Sequence, residues 1–351
     1  MKPTIKDLAR ELGLAVSTVS RALSGAYGVH PDTLKRVRRK AQDMGYVPNM
    51  GARQLVGKRS HLVGVFIPEF EFEATPEFME IFHPLHRALR AGGMDAILFS
   101  IPYPEPDQKR LNEWVVTRNL EACVFLPPFS GDYPLLRDAL EQNIPCLNFA
   151  NALGPKCSAV NADDREGGRW AARYLAAKGH RRIGYVNGPT YLHICKERYG
   201  GFREALEELG IPHNPDWAAE GDFSGTSGGE AALQLWEKDA GITAIFCAND
   251  LMAMGAMTAL AQAGIRIPED LSVIGYDGAF FTAYAQPPLT TVRHPYETLA
   301  ERGVALLVEI LNGGTGKREV IPPLFVERSS VFDRIGCGEP AVLTKKLDNL
   351  P

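Results

Sequence analysis

Seven short apolar runs, LVGVFIP, AILFS, ACVFL, PCLNF, RIGYVNG, TAIFCA and SVIGY, recur between Leu62 and Tyr276 with helix-forming stretches between them. Strands that read as near-continuous apolar runs are buried on both faces, and their alternation with helices is the pattern of a parallel sheet covered on both sides. This restricts the body of the chain to a doubly wound α/β architecture. Ligands of such sheets bind outside the carboxyl ends of the strands, where the strand order reverses. Arg198, Asn249 and Asp277 lie just after such runs or in loops near them, which makes them candidates for a ligand site. Structural ion pairing is the alternative reading of each. With 351 residues, 45% of them hydrophobic, the chain can bury full cores and is expected to hold two or three domains.

The first 60 residues have a different character. They carry 12 Lys and Arg against 4 Asp and Glu, a balance of +8, while the remainder carries 26 against 38, a balance of −12. The total of −4 therefore hides a basic head on an acidic body, as expected where one part meets phosphates. Thr4 can cap a helix over about Ile5 to Leu12, with Asp7 in its first turn, Gly13 ending it, and Ile5, Leu8, Ala9 and Leu12 on one apolar face. A second helix over about Val16 to Leu23 turns Val19, Ala22 and Leu23 inward and leaves Val16, Ser17, Thr18 and Arg21 outward near its N-terminus, where a recognition helix meets base edges. Arg21 can bond a guanine edge or a phosphate, Ser17 and Thr18 can take either, and Val16 can touch a thymine methyl. A third helix over Pro31 to Met44 bears Lys35, Arg36, Arg38, Arg39 and Lys40 and closes the small core with Leu34, Val37 and Ala41. A solvated surface is the competing reading of any one of these positions.

The stretches T-I-K-D-L-A at 4–9, S-T-V-S-R-A-L at 17–23, G-Y-V-P-N at 45–49 and A-R-Q-L at 52–55 resemble the headpiece of the lac repressor (LacI/GalR) family of bacterial transcription regulators. The body resembles the effector-binding core of the same family, itself similar to periplasmic sugar-binding proteins. The motifs that carry this are D-D-R-E-G-G at 163–168, G-H-R-R-I at 179–183, R-Y-G-G-F-R-E-A-L at 198–206, A-N-D-L-M-A-M-G-A at 248–256, G-I-R-I-P-E-D-L-S-V-I-G-Y-D at 264–277 and P-P-L-T-T-V-R at 287–293. The resemblance implies a helix-turn-helix head (1–48), a hinge (49–60), a core of two doubly wound parallel-sheet subdomains (61–161 with 293–321, and 162–292 with 322–335) and a tail (336–351). It implies DNA contacts from Thr4, Val16, Ser17, Thr18, Arg21, Ser24, Tyr46, Asn49, Arg53 and Leu55, with Leu55 wedged into the minor groove at the operator centre. An apolar wedge unstacks a base step at a cost of a few kcal/mol, and the kink lets more protein surface engage. Gly51 and Gly57 make the hinge a poor helix in isolation.

In the body the resemblance implies effector contacts from Arg198, Asn249 and Asp277, an aromatic platform at Phe223, and further contacts from Phe72, Glu77, Phe78 and Asn148. Glu77 stands where the family usually has an aromatic residue, so the carboxylates of this loop favour a polyhydroxylated or cationic ligand, a plain sugar first and a sugar phosphate second. Two departures in the head are Ala15 and His30, each standing where the family usually has serine; losing a helix cap costs about 1 kcal/mol. Ser24 stands at a position commonly Asn.

Other signals are set aside. Gly225-Thr226-Ser227-Gly228-Gly229 matches the G-x-S-x-G nucleophile elbow, with Asp277 and His294 following in hydrolase order, but AAEGDF before it is not the buried strand an elbow needs. Glu80, His83 and His86 have metal-ligand spacing on a helix that Pro84 should disturb. The cysteines, Cys123, Cys146, Cys157, Cys195, Cys247 and Cys337, lack CxxC spacing and read as reduced thiols. No apolar run reaches the roughly 18 residues of a membrane span, and MKPTIKDLAR lacks the apolar stretch of a signal peptide. The expectation is a cytoplasmic homodimer that binds double-stranded operator DNA and a small carbohydrate-like effector, needs no cofactor and catalyses no reaction. A solute-binding protein for a transporter and a cleft esterase are the alternatives.

Overall fold

A computed structural model describes residues 3–24, 28–46, 59–69, 76–103 and 110–335, with Ser24 and residues 76–79 described as backbone only. The chain divides into two compact units, 1–61 and 62–351.

The first unit holds α1 (Ile5–Leu12), α2 (Val16–Ser24) and α3 (Pro31–Asp43). Thr4 caps α1 in a full capping box: its hydroxyl accepts the Asp7 N–H, and the Asp7 carboxylate accepts the Thr4 N–H at 3.0 Å. Gly13 ends the helix in the left-handed region at φ 64°. Leu8, Ala9, Val19, Ala22, Val37 and Ala41 form the buried core. Ala15 offers only its carbonyl to the Thr18 and Val19 N–H groups. His30 differs from expectation, because its Nδ1 accepts the Asp32 N–H at 3.4 Å and so supplies a cap in imidazole form.

In the second unit β1 (Leu62–Glu69), α4 (Pro76–Ala91), β2 (Asp95–Pro102), α5 (Leu111–Arg118), β3 (Ala122–Phe125), α6 (Pro134–Glu141), β4 (Cys146–Asn148) and β5 (Cys157–Ala162) build a first subdomain. A second is built from α7 (Asp164–Ala177), β6 (Ile183–Asn187), α8 (His193–Glu208), β7 (Ala218–Glu220), α9 (Gly225–Lys238), β8 (Ala244–Cys247), α10 (Asp250–Gln262), β9 (Ser272–Asp277) and β10 (Thr290–Arg293). The chain then returns through α11 (Tyr296–Leu311) and β11 (Arg318–Ile321) to β12 (Leu324–Val326). The first sheet runs β11-β5-β4-β3-β1-β2, all parallel; the second runs β12-β10-β9-β8-β6-β7 and is parallel except for β12. The backbone thus passes between the sheets three times, after β5, after β10 and after β11. Strand order reverses between β1 and β3 and between β6 and β8, which places two crevices at the carboxyl ends of the sheets.

The double glycines of two motifs set how closely α7 and α8 approach. A Cβ on Gly168 would lie 2.0 Å from the Arg198 carbonyl oxygen, and one on Gly201 would lie 1.8 Å from that of Arg165. Only glycine lets the backbones meet there, and this contact fixes Arg198 over the sheet. Pro84 does not end its helix: α4 continues through it to Ala91. Among the described residues no helix is long and apolar enough to cross a membrane.

Candidate functional site

On α2, Val19 and Ala22 are fully buried whereas Val16, Ser17 and Arg21 are exposed and Thr18 is half-buried, so the helix presents its N-terminal polar face outward. Ser20 shares that exposed face and was not singled out from the sequence. Arg21 lies along the helix with Nε 3.4 Å from the Ser17 carbonyl. Thr4 is exposed, with its hydroxyl engaged in the cap of α1. Tyr46 is half-buried against the head's core. The basic run on α3 is not one solvated face, because Arg36 donates to the Leu12 carbonyl at 2.9 Å and Lys40 pairs with Glu11 at 2.9 Å. Lys35, Arg38 and Arg39 stay exposed. The side chain of Ser24, and all of Asn49, Arg53 and Leu55, lie outside the described residues, as do the Gly51 and Gly57 of the hinge.

In the body the centre of the site is Arg198, only 3% exposed. Its Nε donates to Asp164 Oδ1 at 2.8 Å and its Nη1 to the Ala248 carbonyl at 2.5 Å; Asp277 Oδ1 lies 3.2 Å from Nη1 and His294 Nε2 lies 3.1 Å from Nη2. The guanidinium also covers the Tyr276 ring at 3.8 Å. One cation therefore faces two carboxylates in a largely buried pocket. Burial pushes the Cys195 thiol up to about 12 and raises the Tyr276 phenol, so neither adds charge. Asp277 has φ 105°, a region non-glycine residues rarely adopt, and the next residue must be glycine, since a Cβ on Gly278 would meet Arg293 at 2.3 Å. Asp250, the third residue of the A-N-D motif, is a brace: Oδ2 accepts the Ala279 N–H at 2.7 Å and Oδ1 the Thr291 hydroxyl at 2.6 Å, which fixes the loop after Asp277.

Phe223 and Asn249 join this site. Phe223 has φ 72°, a marked outlier for a bulky residue, and its ring lies so close to Gly188 that a Cβ there would overlap it at 2.3 Å. Asn249 caps α10 by accepting the Met252 N–H at 2.9 Å and donates to the Phe223 carbonyl at 3.1 Å, so it holds the aromatic residue in that backbone state. Gly188 follows β6 and Asn249 follows β8, the pair that flanks the reversal of strand order.

Asn148 does not belong with them. It is fully buried, its amide donates to the Ala152 and Ser158 carbonyls at 2.8 and 2.9 Å, and its oxygen accepts the Ala150 and Ala152 N–H groups, both at 3.2 Å. Both donors and both acceptor positions are occupied in folding its own loop, which leaves nothing for a ligand. Phe72 and the side chains of Glu77 and Phe78 lie outside the described residues. Glu80 instead touches the second subdomain, accepting the Phe280 N–H at 3.0 Å, and no three-ligand metal cluster occurs among the described residues. Ser227 is the third residue of α9, its N–H bonded to the Ser224 hydroxyl and its own hydroxyl to the Asp222 N–H and the Ser224 carbonyl, a helix start rather than a strand-to-helix elbow. Asp164 and His294 are the site residues that sequence reasoning missed as partners of Arg198; they sit 34 and 96 positions from it. Cys123, Cys146, Cys157, Cys195 and Cys247 are buried free thiols.

A three-helix head with an outward-facing second helix, together with a two-sheet body whose crevice gathers strained polar and aromatic residues, defines a DNA-binding regulator with a ligand cleft. Residues 4–49 match the model of bacterial regulatory proteins of the lacI family, and residues 172–331 match that of a periplasmic binding protein-like domain. The chain is 30% identical over 335 residues to the transcriptional repressor CytR of Escherichia coli (strain K12), covering 93% of this chain and 96% of that one. It is 32% identical over 340 residues to the repressor PurR of Pasteurella multocida (strain Pm70), covering 95% and 99%. The CelR–cellobiose complex superposes with a TM-score of 0.70 at 30% identity over 93% of this chain and 99% of that one. The lac repressor dimer bound to operator and the anti-inducer ONPF shares the fold, with a TM-score of 0.81 at 24% identity over 95% and 100%. The chain belongs to the lacI family of bacterial regulatory proteins and is a DNA-binding transcription regulator.

Proposed function

We propose that this regulator is a cytoplasmic homodimeric repressor that reads a near-palindromic operator through Val16, Ser17, Thr18 and Arg21 and responds to a small, uncharged, polyhydroxylated effector held by Arg198, Phe223, Asn249 and Asp277. The head would end near residue 48, a hinge at 49–60 would bring Leu55 to the operator centre, and no bond would be made or broken. Named repressors among the relatives, and the cellobiose complex of CelR, support the repressor sign and the carbohydrate class.

The observation that carries the effector class is the charge of the cleft. Among the described residues Arg198 faces two carboxylates, Asp164 and Asp277. A phosphate about 4 Å from a carboxylate meets about 4 kcal/mol of repulsion at an effective dielectric of 20. Phe223 offers an apolar face to a ring, and the Asp277 carboxylate can accept hydroxyl protons. Selection of bound fragments from the source genome by the full-length protein, at two salt concentrations so that phosphate-driven background is subtracted, is expected to yield a shared palindrome. Neutral sugars and nucleosides that raise the melting temperature while their phosphates do not would fit the cleft; stabilisation by phosphates alone would sink the uncharged assignment.

A further inference from the structure

Arg198 is fastened to two of the segments through which the chain crosses between the sheets. Nε reaches Asp164, where β5 passes into α7, and Nη2 reaches His294, where β10 passes into α11. A guanidinium has only donors, so the 3.1 Å contact requires His294 Nε2 to accept, and the ring's single proton then resides on Nδ1. The same Nε2 lies 3.5 Å from Asp277 Oδ1. A second proton, taken up from solvent at Nε2, ends the acceptor role, redirects the atom to the carboxylate and sets two cations against each other. Among the described residues, groups that face the ring include Arg198 from α8, Asp277 and Tyr276 from β9, Tyr296 from α11 and, through Arg198, Asp164 at the start of α7. Cys195 and Tyr185, which also sense the guanidinium, are kept neutral by burial.

We propose that His294 is a positioning residue whose protonation state decides whether Arg198 stays fastened to the second crossing, so that the spacing of the two subdomains depends on pH. The inference rests on the cleft reading above, but its test needs neither DNA nor effector. A failed fragment selection would therefore leave the test standing, and a failed test would leave the regulator standing.

The measurement is made on the full chain labelled with isotopic histidine, the His294 signal being the one that vanishes in His294→Gln. Two spin labels, at Val116→Cys and Leu209→Cys, report on the subdomains in labelled protein diluted with unlabelled. At about pH 8 the ring is expected as the neutral Nδ1–H tautomer, and between about pH 8 and about pH 5.5 the label distance is expected to shift in the otherwise native chain. In His294→Gln, whose amide oxygen can accept from Arg198 at every pH, the distance is expected to stay fixed. An Nε2–H tautomer or a cation at about pH 8, a distance that never moves, or equal movement in both proteins overturns the proposal. Should His294→Gln fail to fold, His294→Asn identifies the signal and repeats the comparison.

Discussion

His180 is fully buried at the entrance to β6, with Nδ1 2.9 Å from the Thr243 hydroxyl and Nε2 3.2 Å from the Phe332 carbonyl. Burial, reinforced by Arg334 and Arg181, lowers its pKa from the ordinary 6.5 to about 4. Between those values the unfolded chain binds a proton that the folded chain refuses. The stability this residue contributes is therefore complete above about pH 6.5 and is lost as pH falls toward 4, by up to about 3 kcal/mol. Urea unfolding of the second subdomain across that range is expected to show the decline, and His180→Gln to flatten it. An unchanged pH profile in the variant would assign the acid sensitivity elsewhere. The same logic explains why a histidine in G-H-R-R-I is no sign of chemistry: it stitches the segment after β12, at Phe332, to the sheet.

At the scale of elements, α7 and α8 show how motif glycines act. Gly201→Ala would drive a Cβ to 1.8 Å from a backbone carbonyl, which can yield only by parting two helices, and is expected to lower stability by about 1–3 kcal/mol. Gly200→Ala meets only side-chain atoms, the Arg165 guanidinium at 3.1 Å, which Glu197 and Glu204 hold in ion pairs; displacing it offsets the gain in helix propensity, and the variant is expected to lie within about 1 kcal/mol of the parent. Thermal unfolding of the two variants separates the adjacent positions, and equal effects would mean that the helices do not meet through Gly201. The sequence motif R-Y-G-G-F marks both glycines alike. The head was legible because capping and helical periodicity are local: Thr4, Asp7 and Gly13 announce α1 within ten residues. Strands β5, β7, β10, β11 and β12 were not singled out, being short, polar in part or placed at sheet edges, where burial does not impose an apolar run. Asn148, an effector contact only by family resemblance, has its partners in the loop it closes, which no motif announces. The links of Arg198 to Asp164 and His294 follow from topology, which no local pattern encodes.

For the whole molecule, function requires that binding in the body alter binding in the head, and the chain separates the two chemistries cleanly enough to test that coupling. Arg21 belongs to a unit whose core, from Leu8 to Ala41, is its own, and Asp277 to another. Arg21→Ala should therefore weaken operator binding by about 1–3 kcal/mol and relax base preference, with the effector affinity of the body unchanged. Asp277→Ala should abolish the response and, because Asp277 also pairs with the buried Arg198 in the effector-free cleft, lower the stability of the body, while leaving the head's own contacts to operator unchanged. A coupling of about 1–3 kcal/mol corresponds to a 5- to 150-fold change in operator affinity, and linkage demands that operator DNA change effector affinity by the same factor. Titrating effector with and without operator, and operator with and without effector, gives that factor twice. Unequal factors would show that a third state, such as dissociation of the dimer, intervenes. A normal response in Asp277→Ala would remove Asp277 from the effector site.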